Sequence, residues 1–275
     1  MSFRKAFLWI FVAGLLAYGA EAVAAKEAIV LNEKEYFEGP GFSFLVFHNN
    51  YQVGFQGGLQ MIQNGERILD SGDFLLTPKS GGMEGPELRV LRRVVDRERS
   101  TATVYGEIGG WNTGYQLICR TDGERIFITL KLDRPIDWSK VERAGFRMCL
   151  YPYTGQMIFF GPTKTLRVAQ EDPLHSFVMS RADGALLLID PRQDGPEPWF
   201  FVLAPLEAGS QETEVRLEIT PSLRSDWRRP PVIGISQVGY HPNQVKRAVL
   251  ELDPRDSTSA PVNLYQLELA GDKKL

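Results

Sequence analysis

The sequence predicts an all-β protein: a large antiparallel β-sandwich followed by the start of a second, smaller β-sandwich. Three observations carry that expectation. Short segments rich in β-branched and aromatic residues recur at intervals of roughly 8–12 residues, the spacing of strands in sandwiches. Asn64-Gly65, Asp122-Gly123 and Asp183-Gly184 fall between such segments, and these dipeptides tolerate the positive φ that tight hairpins need. Beyond the first 25 residues, no segment holds a helical period over three turns.

Residues 1–25 form a separate unit. Arg4 and Lys5 make a short positive head, FLWIFVAGLLAYGA an apolar stretch, and Ala20-Glu21-Ala22 or Ala22-Val23-Ala24 a small-residue cleavage site. That is the pattern of a secretory signal peptide. An apolar run this short falls below the roughly twenty residues that a membrane span needs. The expectation is an exported, secreted or periplasmic protein, with no membrane contact after cleavage.

The strands follow in order: FSFLVFH (42–48), LQMIQ (59–63), LRVLRRVV (88–95), ATVYGEI (102–108), YQLICRT (115–121), RIFITLKL (125–132), FRMCLYP (146–152), LLLID (186–190), FFVLAPL (200–206) and VRLEIT (215–220). In RIFITLKL, Ile126, Ile128 and Leu130 alternate with Phe127, Thr129 and Lys131, as in a sheet with one face on a core. Residues 30–222 are therefore read as one large sandwich. The segment 223–231 contains Pro230-Pro231, which cannot continue a central strand and stiffens the chain, so it reads as a linker. Beyond it, VIGISQVGY, KRAVLELD and VNLYQLELA read as three strands of a further domain, 232–275, about half of a seven-stranded sandwich.

Charge and composition exclude several classes. The formal net charge of −3 becomes −4 once Arg4, Lys5 and Glu21 leave with the signal. A mildly acidic exported chain is a poor partner for nucleic acid. Its densest basic run, RVLRRVVDRERS (89–100), is broken by Asp96 and Glu98 and reads as a solvated strand edge and turn. No cofactor is expected: Gly54, Gly57 and Gly58 lack a phosphate-cradling spacing. DPRQD (190–194) and DPRD (253–256) lack a calcium-loop pattern, and no Cys/His cluster suits zinc. Cys119 and Cys149 are as compatible with a bridge as with two buried thiols.

Sugar rings present apolar faces ringed by hydroxyls, so their sites pair flat aromatics with amides and carboxylates. GGWNTGYQ (109–116) offers Trp111, Asn112, Tyr115 and Gln116 among glycines, and these four are the candidate contacts for β-glucan or another polysaccharide. Trp138, Trp199 and Trp227 are also flanked by proline or polar residues. Acid/base chemistry on a sugar ring would need a histidine and a carboxylate that converge on it. His48 or His175 with Glu66, Glu107 or Asp73 would supply the groups, but spacing alone does not bring them together.

The segment GISQVGYHPNQVKRAVLEL (234–252) carries a further signal. Ile235, Gln237, Val238, Gly239, Tyr240, Pro242, Lys246, Arg247, Ala248 and Val249 stand in the order of an I-x-x-N-Q-x-G-Y strand, a proline turn and a K-x-A-V strand. This resembles the cellulase Ig-like domain of family 9 glycoside hydrolases, with Ser236 where asparagine is usual. The resemblance covers residues 232–275. It implies a parent protein that hydrolyses β-1,4-glucan with inversion, on an α-helical toroid that follows the Ig-like domain. Inversion there uses two carboxyl groups about 6.5–9.5 Å apart. No helical repeat in this sequence can carry them, so no catalytic residue is assigned. The expectation is the front portion of a longer secreted glycosidase-like protein, or a truncated gene product, whose modules act as spacer or glycan contact. The run 47–76 looks like a module that precedes the Ig-like domain in some family 9-related proteins. Its sandwich also suits a mutarotase-like sugar epimerase, and stacked sandwiches suit a structural or adhesive exported protein.

Overall fold

The computed structural model describes residues 28–47, 58–80, 86–151, 161–191, 199–236, 238–241, 243–253, 255–256, 265–268 and 271–274. The signal segment, His48, most of the NNYQVGFQGG loop, Gln237 and Pro242 lie outside them. Among the described residues the protein is all-β, and no helix is long and apolar enough to cross a membrane.

Two antiparallel sheets make the sandwich. The chain lays down β1 (Val30–Leu31), β2 (Phe37–Gly39), β3 (Phe42–Val46), β4 (Leu59–Gln63) and β5 (Glu66–Pro78) as a meander in the first sheet. It then crosses to the second with β6 (Leu88–Asp96), β7 (Thr101–Ile108), β8 (Thr113–Thr121) and β9 (Ile126–Leu132). After that it alternates. β10 (Val141–Leu150), β11 (Gly161–Thr163), β14 (Leu186–Ile189) and β15 (Phe200–Pro205) join the first sheet, which orders as β1-β2-β3-β4-β5-β10-β15-β14-β11. β12 (Thr165–Val168), β13 (Phe177–Ser180) and β16 (Glu214–Pro221) complete the second, ordered β12-β13-β16-β9-β8-β7-β6.

The period-2 pattern explains the packing. Val104, Leu117, Ile128 and Leu217 point inward from the second sheet and meet Phe44, Met61, Phe74, Phe146 and Val202 of the first in one continuous core. The alternation expected in β9 holds: Ile126, Ile128 and Leu130 are buried, and Phe127 and Thr129 are half-exposed. Asn64-Gly65 closes the β4–β5 hairpin with both residues at positive φ, 51° and 85°, as a tight two-residue turn requires. Cys119 and Cys149 are free, buried thiols rather than a bridge. Burial pushes both pKa values up, that of Cys149 to about 12, which leaves them unreactive at neutral pH.

Beyond β16 the pattern changes. β17 (Val232–Gly234) pairs with β18 (Val249–Glu251), and β19 (Tyr265–Glu268) pairs with β20 (Gly271–Lys274). The first two expected strands are thus shorter than the sequence pattern indicates, and β19 pairs with β20 in a ribbon separate from β17 and β18. Ile233, Ile235 and Val249 are exposed, and Val238 is 98% exposed. A two-stranded ribbon without a covered face is marginal in water. Amides of 232–251 are therefore expected to exchange with deuterium far faster than those of β5, β8 and β10. Equal protection of the two regions would contradict this.

Candidate functional site

The four residues nominated from GGWNTGYQ do not form one surface. Trp111 sits in the β7–β8 turn, half-buried against the core, with its amide donating to Ile108 O at 3.1 Å. Asn112 is exposed at φ 46° and borders a cleft of about 420 Å³ that also touches Glu107 and Asp133. Tyr115 requires a correction. It is 2% exposed, with its ring stacked on Phe74 at 5.6 Å between centroids, so it cannot stack on a sugar. Gln116, one residue on, points to the opposite, outer face, because successive strand side chains alternate. Tyr115 shares the parity of Leu117 and Cys119, and that signal placed it in the core.

The larger cleft is elsewhere, with a volume of about 810 Å³. The β2–β3 hairpin lines it with Tyr36, Glu38 and Ser43, and Trp227, Arg229, Glu251 and Asp253 complete the walls. Gly65 also lines it, and the Trp227 ring lies beside Gly65 and Gly41. The walls are fastened. Arg224 N donates to Pro40 O at 3.2 Å, joining the segment before Trp227 to the β2–β3 turn. Asp253 accepts from Arg229 N at 2.9 Å and from Arg255 N and Nε at 3.0 and 2.9 Å. Arg255 donates in turn to Trp227 O. The Arg255 hydrogen bonds hold the Asp253 carboxyl well below the usual carboxylate range.

Polar groups in the cleft are oriented. Glu38 accepts from Asn32 Nδ2 at 2.8 Å and from the Tyr36 hydroxyl at 3.5 Å. Glu251 pairs with Arg229 at 2.7 Å. The arrangement therefore combines two half-exposed aromatic rings with fixed donors and acceptors and room for a chain segment. None of it was nominated from sequence except Trp227 as one of several flanked tryptophans. No local pattern brings Tyr36 and Glu251 to one cleft.

The histidine question has a partial answer. His175 Nε2 lies 3.1 Å from Glu66 Oε2, and its Nδ1 bonds Asp172 within the turn that precedes β13. That bond draws the Asp172 pKa down. His175 and Glu66 thus touch each other instead of flanking a space for a ring, and His175 is 15% exposed against 55% for Glu66. Glu107 is paired with Arg89, and Asp73 is held by the Phe74 amide at 2.7 Å. His48 lies outside the described residues. Among the described residues, no group of three or more His, Cys, Asp and Glu side chains is placed to hold a metal ion.

No protein-family model matches this sequence, and no curated protein matches it. Two solved structures of a heparinase III, the BT4657 gene product, are similar to it at 11% identity, one of them with methylated lysines. Their TM-scores are 0.39 and 0.35, over 79% of this chain and 40% and 39% of theirs. The chain thus spans about two fifths of the length of the solved structures it matches.

Proposed function

We propose that this chain is a non-catalytic, glycan-contacting region of an exported polysaccharide-degrading protein of the family 9 glycoside hydrolase type. Its contact is the cleft between the β2–β3 hairpin and Trp227. The observation that carries this reading is that Tyr36 and Trp227 line one open cleft together with Glu38, held by Asn32, and the Glu251–Arg229 pair. An aromatic ring covers the apolar face of a pyranose, and oriented acceptors and donors take its equatorial hydroxyls. A neutral β-glucan matches this mixture. The carboxylates are engaged by neighbouring donors, which suits them to accept hydroxyl hydrogen bonds. The family assignment is supported by residues 235–249, where Tyr240 bonds Ser236 N and Arg247 O and pins the turn of that motif.

Calorimetry of the full chain with soluble β-1,4-glucan oligosaccharides tests the reading. Tyr36→Ala is expected to weaken binding by about tenfold, the loss of one stacking ring worth about 1–1.5 kcal/mol. Trp227→Phe, which keeps an aromatic ring but loses the outer indole atoms beside Gly65, is expected to weaken it less. Trp111→Ala, made in parallel, reports on the β7–β8 turn as a competing contact. Absence of binding by the wild-type chain, or full binding by a folded Tyr36→Ala variant, removes the cleft from consideration.

A further inference from the structure

The outer face of the second sheet carries more cations than its carboxylates consume. Register fixes its side chains as a grid: Arg92, Tyr105, Gln116, Lys131 and Glu214 lie in one row, and Arg120, Phe127 and Glu218 in another. Each carboxylate on this face already holds a cation: Glu107 with Arg89, Glu214 with Arg216 at 2.8 Å, Glu218 with Arg125 at 3.0 Å and Asp96 with Arg99 at 3.7 Å. Arg92, Arg120 and Lys131 are exposed, and none has a carboxylate partner among the described residues.

Two of these cations are also pre-positioned. The Arg92 guanidinium lies 4.2 Å over the Tyr105 ring, and that of Arg120 lies 4.0 Å over Phe127. Stacking on a ring orders a long side chain while its N–H edge stays free to donate two parallel bonds to a carboxylate. Between the cations lie Gln116, Thr103 and Thr129, short polar groups suited to hydroxyls. The face is open, and its spare charges are separated by about three strand spacings, roughly 14 Å, between Arg92 and Lys131.

We propose that this face docks a polyuronate, an acidic polysaccharide with one carboxylate per sugar. Sparse cations, two of them bidentate guanidiniums, on a chain of net charge −3 suit such a partner. They suit nucleic acid poorly, since its line charge of about one per 1.7 Å would be repelled by the rest of the molecule. The site is separate from the cleft and does not depend on it.

Titration of the full chain with polygalacturonate at 20 and 150 mM NaCl tests the proposal. Binding is expected at low salt and should weaken as salt rises. The triple variant Arg92→Ala/Arg120→Ala/Lys131→Ala should bind at least tenfold more weakly, with a smaller salt dependence and an unchanged melting temperature. Arg92→Lys/Arg120→Lys should bind between the two, because charge is kept and bidentate geometry is lost. Tyr36→Ala should bind polygalacturonate as the wild type does, and the triple variant should keep neutral-glucan binding, so failure at one site is distinct from failure at the other. The proposal is overturned by no wild-type binding at 20 mM salt, by unchanged binding of the triple variant, or by tighter binding of single-stranded DNA or dextran sulfate than of polygalacturonate.

Discussion

Replacing Arg181 by alanine is expected to destabilise the sandwich by about 3 kcal/mol and to lower its melting temperature by roughly 6–12 °C. Arg181 is 3% exposed, in the turn that carries the chain from β13 in one sheet to β14 in the other. Its guanidinium donates to Pro205 O at 2.6 Å, Ala185 O at 3.1 Å and Asp183 Oδ1 at 3.2 Å. It fills the space beside Gly184 that any Cβ would occupy. Asp183 is 39% exposed and rehydrates when its partner leaves. The loss therefore comes mainly from two carbonyls left without a donor and from a void between the sheets. Arg181→Lys should recover only part of it, because one ammonium cannot span three acceptors in a plane. Urea denaturation of the three proteins measures the difference, and a loss below about 1 kcal/mol in Arg181→Ala would show that water replaces the guanidinium.

The second large effect concerns pH. Burial pushes the Asp73 pKa up to about 7, against the opposing pull of the Phe74 amide, the neighbouring Tyr115 hydroxyl and Arg147. The Tyr115 hydroxyl lies beside it without a hydrogen bond of good geometry, and burial together with that carboxylate drives the Tyr115 pKa upward. A carboxyl whose folded value is raised favours folding in its protonated form. Its contribution is fully present below the unfolded value of about 3.9 and is lost as pH rises through about 7. The wild-type chain should therefore lose on the order of 3 kcal/mol from this group between pH 4 and pH 8. Asp73→Asn keeps the acceptor for the Phe74 amide and has no charge to desolvate. Its urea midpoint should match the wild type near pH 4 and exceed it clearly at pH 8. Parallel curves for the two proteins across that range would show that Asp73 stays solvated.

Much of this fold was legible because strand parity and turn chemistry are local. Alternating Ile126, Ile128 and Leu130 specify a buried face wherever the strand is placed, and Asn64-Gly65 can only turn tightly. The same parity placed Tyr115 inside with Leu117 and Cys119, so its nomination as a stacking ring overlooked a signal that was present. Strand lengths after Pro231 were overestimated. β-propensity there has no neighbouring sheet to make it pay, and β17 and β18 stop at three residues each.

The sequence by itself determined the class, the Asn64-Gly65 and Asp122-Gly123 hairpins and the inward face of the strands it marked, since those depend on a period of two and on positive φ at particular residues. Asp183-Gly184, expected to close a hairpin, instead carries the chain from one sheet to the other, and β5 was not among the marked strands. The tertiary structure alone decided which surfaces meet. Asn64 donates to Leu174 O across 110 residues, which brings Glu66 to His175. Trp227, in a segment that reads as a linker, settles beside Gly65 and lines the same cleft as Tyr36. Periodicity specifies the face that a side chain takes but carries no term for the strand beside it. That choice is made by closing long loops around one shared core, and the cleft, the His175 contact and the cation grid all follow from it.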